Sequence, residues 1–120
     1  MPKMVMCVTR HPDLSREAFG EYWLNNHGPL FKKHAAALKA TKYVQSHTLD
    51  IPVNDDMRES RGTLPAYDGI AEISFASEQD FLDAIKTPEG QAITAELRDN
   101  ESKFVDLGKS SVFFVQEHEL

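Results

Sequence analysis

The chain has 120 residues, of which 41% are hydrophobic, so it is long enough for one domain with a buried core and too apolar for a disordered segment. Its net charge of −6 argues against a nucleic-acid partner, because the sequence has no lysine and arginine cluster that could neutralise phosphates. A single cysteine excludes an intrachain disulfide, and no stretch approaches the ~20 apolar residues that cross a membrane.

These limits predict a single domain over residues 1–120, without membrane contact, in the reducing cytoplasm. In chain order, the apolar run at 3–10 predicts a first strand. Residues 14–26 predict a helix with Ser15 as its N-cap. Gly28 is expected to stop this helix, and the alanine-rich segment 29–40 predicts a second one.

The middle of the chain predicts two more strands. Residues 42–51 alternate, so that one face of the strand carries Tyr43, Gln45, His47 and Leu49. Residues 52–66 contain two prolines and a glycine and predict a polar loop without regular structure. Residues 68–76 predict the third strand.

The last third of the chain predicts helices at 77–87 and 87–104 and a strand at 109–118. The order of the elements is then strand, helices, strand, strand, helices, strand. This order predicts an α+β protein with the ferredoxin-like βαββαβ fold, in which a four-stranded antiparallel sheet carries helices on one face.

The last strand predicts a partner for the second face of the sheet. Phe113 and Val115 alternate with Val112 and Phe114, so both faces of this strand are apolar. Because the helices cover only one face, we expect a homodimer whose sheets pack together as a dimeric α+β barrel.

His27 is the first candidate for chemistry, because it shares a helix face with aromatic residues. That face carries Phe19, Tyr22, Trp23, Asn26 and His27 at helical spacing. An imidazole turned toward the sheet is suited to proton transfer. The spacing alone favours the alternative, a helix-capping or core histidine that is hydrogen-bonded to a backbone carbonyl.

His47 and Asp68 are the other candidates. If the face of His47 looks toward the helices, it joins His27 in one pocket; if it looks the other way, it belongs to the dimer interface. Asp68 could orient a histidine, or it could fix the turn before the third strand. No metal spacing, glycine-rich phosphate loop or GxSxG motif is present, so we expect neither a metal nor a cofactor.

The stretch RHPDLSREAFGEYWLNNHGPL resembles the opening signature of EthD-domain proteins, a strand followed by a helix with the pattern LSxExFxxYWxxxHxPL. KYVQSHTL, PAYDGIAEISFAS and ESKFVDLGKSSVFFVQEHEL resemble the later parts of that domain. The resemblance covers nearly the whole chain and implies the dimeric α+β barrel superfamily. That superfamily includes cofactor-free lactone isomerases, polyketide cyclases and small monooxygenases, and fungal polyketide decarboxylases and dehydratases resemble the family.

In one isomerase of that superfamily a histidine at the end of the first helix transfers a proton, and the matching position is His27. That isomerase also uses a histidine before its third strand, whereas residues 51–67 contain none, so His47 would have to replace it.

The hypothesis is therefore a cofactor-independent lyase or isomerase for an oxygenated aromatic or polyketide-like substrate. His27, His47 and Asp68 would be catalytic, and the substrate-binding residues would be Phe19, Tyr22, Trp23 and Tyr43. One alternative is a non-catalytic protein that binds a hydrophobic metabolite for an oxygenase. Another is a haem-linked or cofactor-free monooxygenase, with His27 or His34 as the axial ligand in the haem case.

Overall fold

The computed structural model describes all 120 residues and has four strands and five helices. The strands are β1 (Pro2–Val8), β2 (Ala40–His47), β3 (Gly69–Phe75) and β4 (Ser111–Gln116). The helices are α1 (Arg16–Tyr22), α2 (Gly28–His34), α3 (Pro52–Arg61), α4 (Glu78–Lys86) and α5 (Pro88–Glu101), with a π-helical turn at Trp23–His27 and a 3₁₀ turn at Leu107–Lys109. None of these helices is both long enough and apolar enough to cross a membrane.

The strands form one antiparallel sheet in the order β2-β3-β1-β4. This order confirms the predicted α+β class and the ferredoxin-like arrangement. In its register Met6 lies opposite both Ala71 and Val112, and Ala71 lies opposite Gln45. Residues that lie opposite one another share a sheet face, so these four point the same way.

That face is the one covered by the helices. Two core clusters join strand residues to helix residues: the first contains Val8 and Ala71 with Trp23, and the second contains Phe75 with Leu97. The other face carries Val5, Cys7, Val44, Ile70, Glu72, Phe113 and Val115, and no helix packs on it. Ile70 is 40% exposed there and Phe113 is 48% exposed.

The first helix does not stop at Gly28, contrary to the sequence prediction. Gly28 has helical dihedrals, and its N–H donates to the carbonyl of Trp23, so α1, the π turn and α2 form one continuous path. A Cβ at Gly28 would lie 3.1 Å from Nε2 of Gln45. The glycine therefore serves the close packing of this helix on β2.

Residues 52–66 were predicted as a loop, and that prediction was wrong over most of the segment. Pro52 opens α3, and Gly62 ends it in the left-handed conformation with φ 66°. Proline in the first helical turn and glycine just after the last one are ordinary helix boundaries. None of the residues of α3 is buried, so this helix lies away from the core.

Candidate active site

A cavity of about 330 Å³ lies between the helices and the sheet. Of its 20 lining residues 16 are hydrophobic. The strands contribute Met4, Met6 and Ile73 from their helix-facing side, and the helices contribute Trp23 and Phe31 among others. A space of this size with few polar groups suits a small organic molecule that is mostly apolar.

His27 lies on the wall of this cavity and is only 5% exposed. It follows Trp23 by four residues along the helical path, and both side chains are buried. The imidazole also contacts Phe104, with 5.1 Å between the ring centroids. The predicted helix face therefore turns this ring inward.

Asn100 fixes the orientation and the tautomer of His27. Nδ1 of His27 lies 2.8 Å from the amide oxygen Oδ1 of Asn100, and the Asn100 amide group donates to the hydroxyl of Tyr22 at 3.0 Å. With the Asn100 amide in this orientation its oxygen accepts from the ring, so Nδ1 of His27 carries the proton. The second nitrogen, Nε2, is then left with a free lone pair, which makes it a base.

Glu101 faces that free nitrogen. Oε2 of Glu101 lies 3.9 Å from Nε2 of His27, too far for a hydrogen bond but close enough for one atom to bridge the two groups. Burial raises the pKa of Glu101 to about 7, and the charge of Arg98 opposes this shift. Much of the carboxyl is thus neutral at pH 7 and can act as an acid.

The same burial keeps His27 neutral. Desolvation lowers the pKa of the imidazole below its ordinary value, and the hydrogen bond to Asn100 offsets this only in part. At pH 7 the cavity therefore holds a neutral base and an acid that is about half protonated, on facing sides of one gap. A carboxyl group whose pKa is raised beside an imidazole whose pKa is lowered is typical of acid–base sites.

Tyr43 and Trp23 form apolar walls of the cavity. The ring of Tyr43 stacks on Phe31 at 4.4 Å, and its hydroxyl accepts a hydrogen bond from the Gln45 amide at 2.8 Å. The same amide donates to the Trp23 carbonyl at 2.9 Å. Burial raises the pKa of Tyr43, so this side chain stays neutral at physiological pH.

His47 lies on the helix-facing side of the sheet, but it does not line the cavity. Its imidazole stacks on the indole of Trp23 at 4.4 Å and is exposed to solvent. Its Nε2 donates to the Gln45 amide oxygen at 2.8 Å. The structure therefore does not bring His47 into one pocket with His27.

Asp68 also lies outside the cavity, just before β3. Its carboxylate accepts from the backbone N–H of Arg10 at 2.8 Å, and the guanidinium groups of Arg10 and Arg16 lie within 3.5 Å. These contacts join the end of β1 to the start of β3 and orient no histidine. These contacts agree with the second role considered for Asp68, which is to fix the turn before β3.

Three further residues of the sequence hypothesis are placed as follows. Phe19 is buried in the core beside Trp23 and does not line the cavity. Tyr22 does not line it either, and reaches the site only through its hydrogen bond with Asn100. His34 does not line the cavity, and its Nε2 lies 3.2 Å from a carboxylate oxygen of Glu96 on α5.

Sequence reasoning missed the contribution of α5, which supplies Asn100, Glu101 and Arg98. A signal was available in the helix period: Ile93 and Leu97 are buried, and Glu101 continues the same stripe four residues later. A carboxylate at a core position of an amphipathic helix is rare unless it is partnered or functional.

The four-stranded antiparallel sheet with helices on one face gives the chain the ferredoxin-like fold, with a ligand-sized cavity beneath the helices. The family model for the EthD domain matches residues 11–108. The chain therefore belongs to the EthD domain family.

Solved structures agree with this fold. An EthD family protein from Bacillus halodurans is 21% identical, with a TM-score of 0.63, and the alignment covers 98% of this chain and 99% of that one. A dimeric ferredoxin-like protein of unknown function from Thermobifida fusca is 10% identical, with a TM-score of 0.58 and coverage of 97% and 90%. A mutant of SnoaB, a cofactor-independent oxygenase from Streptomyces nogalater, is 12% identical, with a TM-score of 0.54 and coverage of 99% and 94%. No curated protein matches the chain.

Proposed function

We propose that this EthD-domain protein is an enzyme of the lyase or isomerase type that acts on a small aromatic or polyketide-like carbonyl compound by proton transfer. One observation carries the proposal: the unprotonated nitrogen of His27 faces the Glu101 carboxyl across 3.9 Å at an apolar cavity. A base and an acid on two sides of a gap are what proton removal next to a carbonyl requires.

In the proposed first step Nε2 of His27 takes a proton from the carbon next to the substrate carbonyl. The electron pair of the broken C–H bond moves onto the carbonyl oxygen, which accepts a hydrogen bond or a proton from Glu101. The apolar lining strengthens this interaction because it excludes water. The product of the step is an enol or enolate and an imidazolium.

The second step decides the reaction type. If the imidazolium returns the proton to a different carbon, the reaction is an isomerisation. If the electron pair instead expels a β-hydroxyl group, which takes a proton and leaves as water, it is a dehydration. A β-keto acid bypasses the first step: its carboxylate leaves as carbon dioxide, and the enolate carbon takes a proton from the site. All three need only positioned acid and base, each worth roughly 10²–10⁴-fold.

Asn100 and Tyr22 are positioning residues in this proposal, because they reach the substrate only through His27. Trp23 and Tyr43 would contact the apolar body of the substrate. His47 and Asp68, outside the cavity, take no proton in the proposed steps.

The apolar lining also favours a second candidate function, a protein that binds a hydrophobic metabolite without transforming it. With 16 hydrophobic residues among 20, the cavity could hold such a molecule by burial alone. The two functions require different things of His27. Catalysis requires its free nitrogen, whereas binding without transformation requires only that its ring forms part of the cavity wall.

We further propose that two copies pair through their open sheet faces and that the protein works in the cytoplasm. The exposed Ile70 and Phe113 on that face and the dimeric state named for the Thermobifida fusca protein support the pairing. We expect sedimentation at micromolar concentration to give twice 13.5 kDa and the Phe113→Lys variant to give the single-chain mass. A wild-type protein that sediments as a monomer contradicts the dimer.

The experiment that tests the catalytic role follows deuterium uptake at the carbon next to the carbonyl of 2-tetralone, in heavy water, by proton NMR. We expect wild-type protein to accelerate the uptake and His27→Gln to abolish the acceleration. If His27→Gln accelerates deuterium uptake as much as the wild type does, His27 is not the base. Wild-type protein that binds a panel of aromatic ketones and β-keto acids but transforms none would favour the metabolite-binding function.

A further inference from the structure

One face of α5 carries a positive charge to the cavity. Thr94, Leu97, Arg98 and Glu101 are spaced by three and four residues and all line the cavity. Arg98 is the only lysine or arginine among the lining residues. Because Arg98 is also exposed to solvent, its guanidinium lies where the cavity opens.

This guanidinium has no partner within the chain. No carboxylate lies within 4.0 Å of it, and its side chain makes no hydrogen bond. Arg10 and Arg16, by contrast, are both held by Asp68. The five N–H groups of Arg98 are therefore free to bind a ligand.

The charge of Arg98 is only partly cancelled at the cavity. Glu101 is the only acidic residue among the lining residues, and burial keeps much of its carboxyl neutral at pH 7. His27 is neutral there as well, because burial lowers its pKa. The cavity thus carries a positive charge in a chain whose net charge is −6.

We infer that Arg98 binds an acidic substituent, a carboxylate or an acidic phenol, on an otherwise apolar ligand. The inference rests on the proposed function only in that the ligand occupies the same cavity. A guanidinium at the mouth pairs with a planar anion through two parallel hydrogen bonds, while the apolar part of the ligand fills the interior. Arg98 would then select ligands by charge and set which end enters first.

Calorimetric titration at pH 7 with 2-naphthoate and its neutral analogue 2-naphthamide tests this inference. We expect the wild type to bind the acid about tenfold more tightly than the amide, as for a partly exposed guanidinium–carboxylate pair. Arg98→Gln should bind both equally, with its affinity for the amide unchanged. Arg61→Gln, which removes the same charge from an exposed helix remote from the cavity, should keep the preference.

Equal affinities in the wild type, a preference retained in Arg98→Gln, or no binding of either compound would overturn the inference. The result is separable from the catalytic proposal because no turnover is measured. A preference for the acid in a protein that exchanges no substrate proton leaves Arg98 in its role and removes the acid–base chemistry. Proton exchange in a protein that does not prefer the acid would support the acid–base chemistry and remove the role of Arg98.

Discussion

Two histidines lie beside Trp23, and only one of them is placed for chemistry. His27 follows the tryptophan by one helical turn, and His47 stacks on its indole at 4.4 Å. In both, a side-chain amide oxygen accepts from one ring nitrogen: Asn100 at 2.8 Å for His27 and Gln45 at 2.8 Å for His47.

The difference lies in where the other nitrogen points. In His27 it faces Glu101 at the apolar cavity, whereas in His47 it lies next to α1, where a Cβ at Gly20 would be 3.4 Å away. Burial lowers the pKa of both rings, so a lowered pKa does not separate them. A histidine on an aromatic face becomes a useful base only when its free nitrogen opens onto space for a substrate.

The sharpest way to break this comparison is to make the same substitution at both histidines. We expect His27→Gln to lower proton exchange on 2-tetralone by about 10²–10⁴-fold, because glutamine cannot take the proton. His47→Gln should stay within a factor of three of wild type. Circular dichroism and thermal melting of both variants show whether the fold is kept, and equal losses in the two would remove the distinction.

The amide partner of His27 offers a second test, of roughly tenfold size. In Asn100→Asp a carboxylate replaces the amide oxygen beside Nδ1, and a negative charge at that distance raises the pKa of the imidazole. NMR titration of the ring carbons measures this shift directly. His34, which pairs with Glu96 outside the cavity, is the internal control, and the substitution should leave its ring signals unchanged.

With a higher pKa, His27 in Asn100→Asp is protonated over more of the neutral range, so the exchange rate at pH 6 should fall about tenfold and recover as the pH rises. If the titration of His27 is unchanged, Asn100 does not set the tautomer. If the pKa rises and the rate does not change at pH 6, the free nitrogen of His27 is not the base.

Glu101 gives a third test, through stability. Its folded pKa of about 7 lies above the ordinary 4.5, so the folded state holds this proton more tightly than the unfolded chain. The stabilisation is present in full below pH 4.5 and is lost as the pH rises through 7. Between about pH 5 and 9 the wild type should lose on the order of 2 kcal/mol relative to Glu101→Gln.

Urea unfolding of both proteins at the two pH values measures this difference. His27 acts in the opposite direction, because its lowered pKa favours folding at higher pH. Since both proteins keep His27, the comparison between them cancels its contribution. Parallel stability curves would show that the Glu101 carboxyl is ionised as easily in the folded state as in the unfolded chain.

The sequence predicted the fold better than the site, for a physical reason. Alternation along the strands and the helix period depend on neighbours in sequence, and these gave the α+β class, the antiparallel sheet and the inward turn of the His27 face. The pairing of His27 with Asn100 spans 73 residues and depends on how α5 packs against the π turn. No local pattern encodes that contact.

The errors have the same origin. Gly28 resembles a helix stop in the sequence, but the side chain of Gln45 on β2 lies so close to it that a Cβ there would be crowded. His47 was left open between two faces because only the strand register, with Gln45 opposite Ala71, decides the question. Pro52 and Gly62 mark the boundaries of α3, but the polar composition of the residues between them indicated a loop.

The smallest expected effect concerns the outer histidine and shows what it does instead of chemistry. His47→Ala removes the stacking on Trp23 and the hydrogen bond to Gln45, so we expect a loss of about 1 kcal/mol in the free energy of unfolding. His47→Phe keeps the stacking and should recover about half of that loss. Proton exchange should remain near the wild-type rate in both variants, because the Trp23 wall of the cavity is also held by Gln45 and Phe19. If exchange falls tenfold while stability is kept, His47 contributes to the reaction, and the division between an inner catalytic and an outer structural histidine has to be given up.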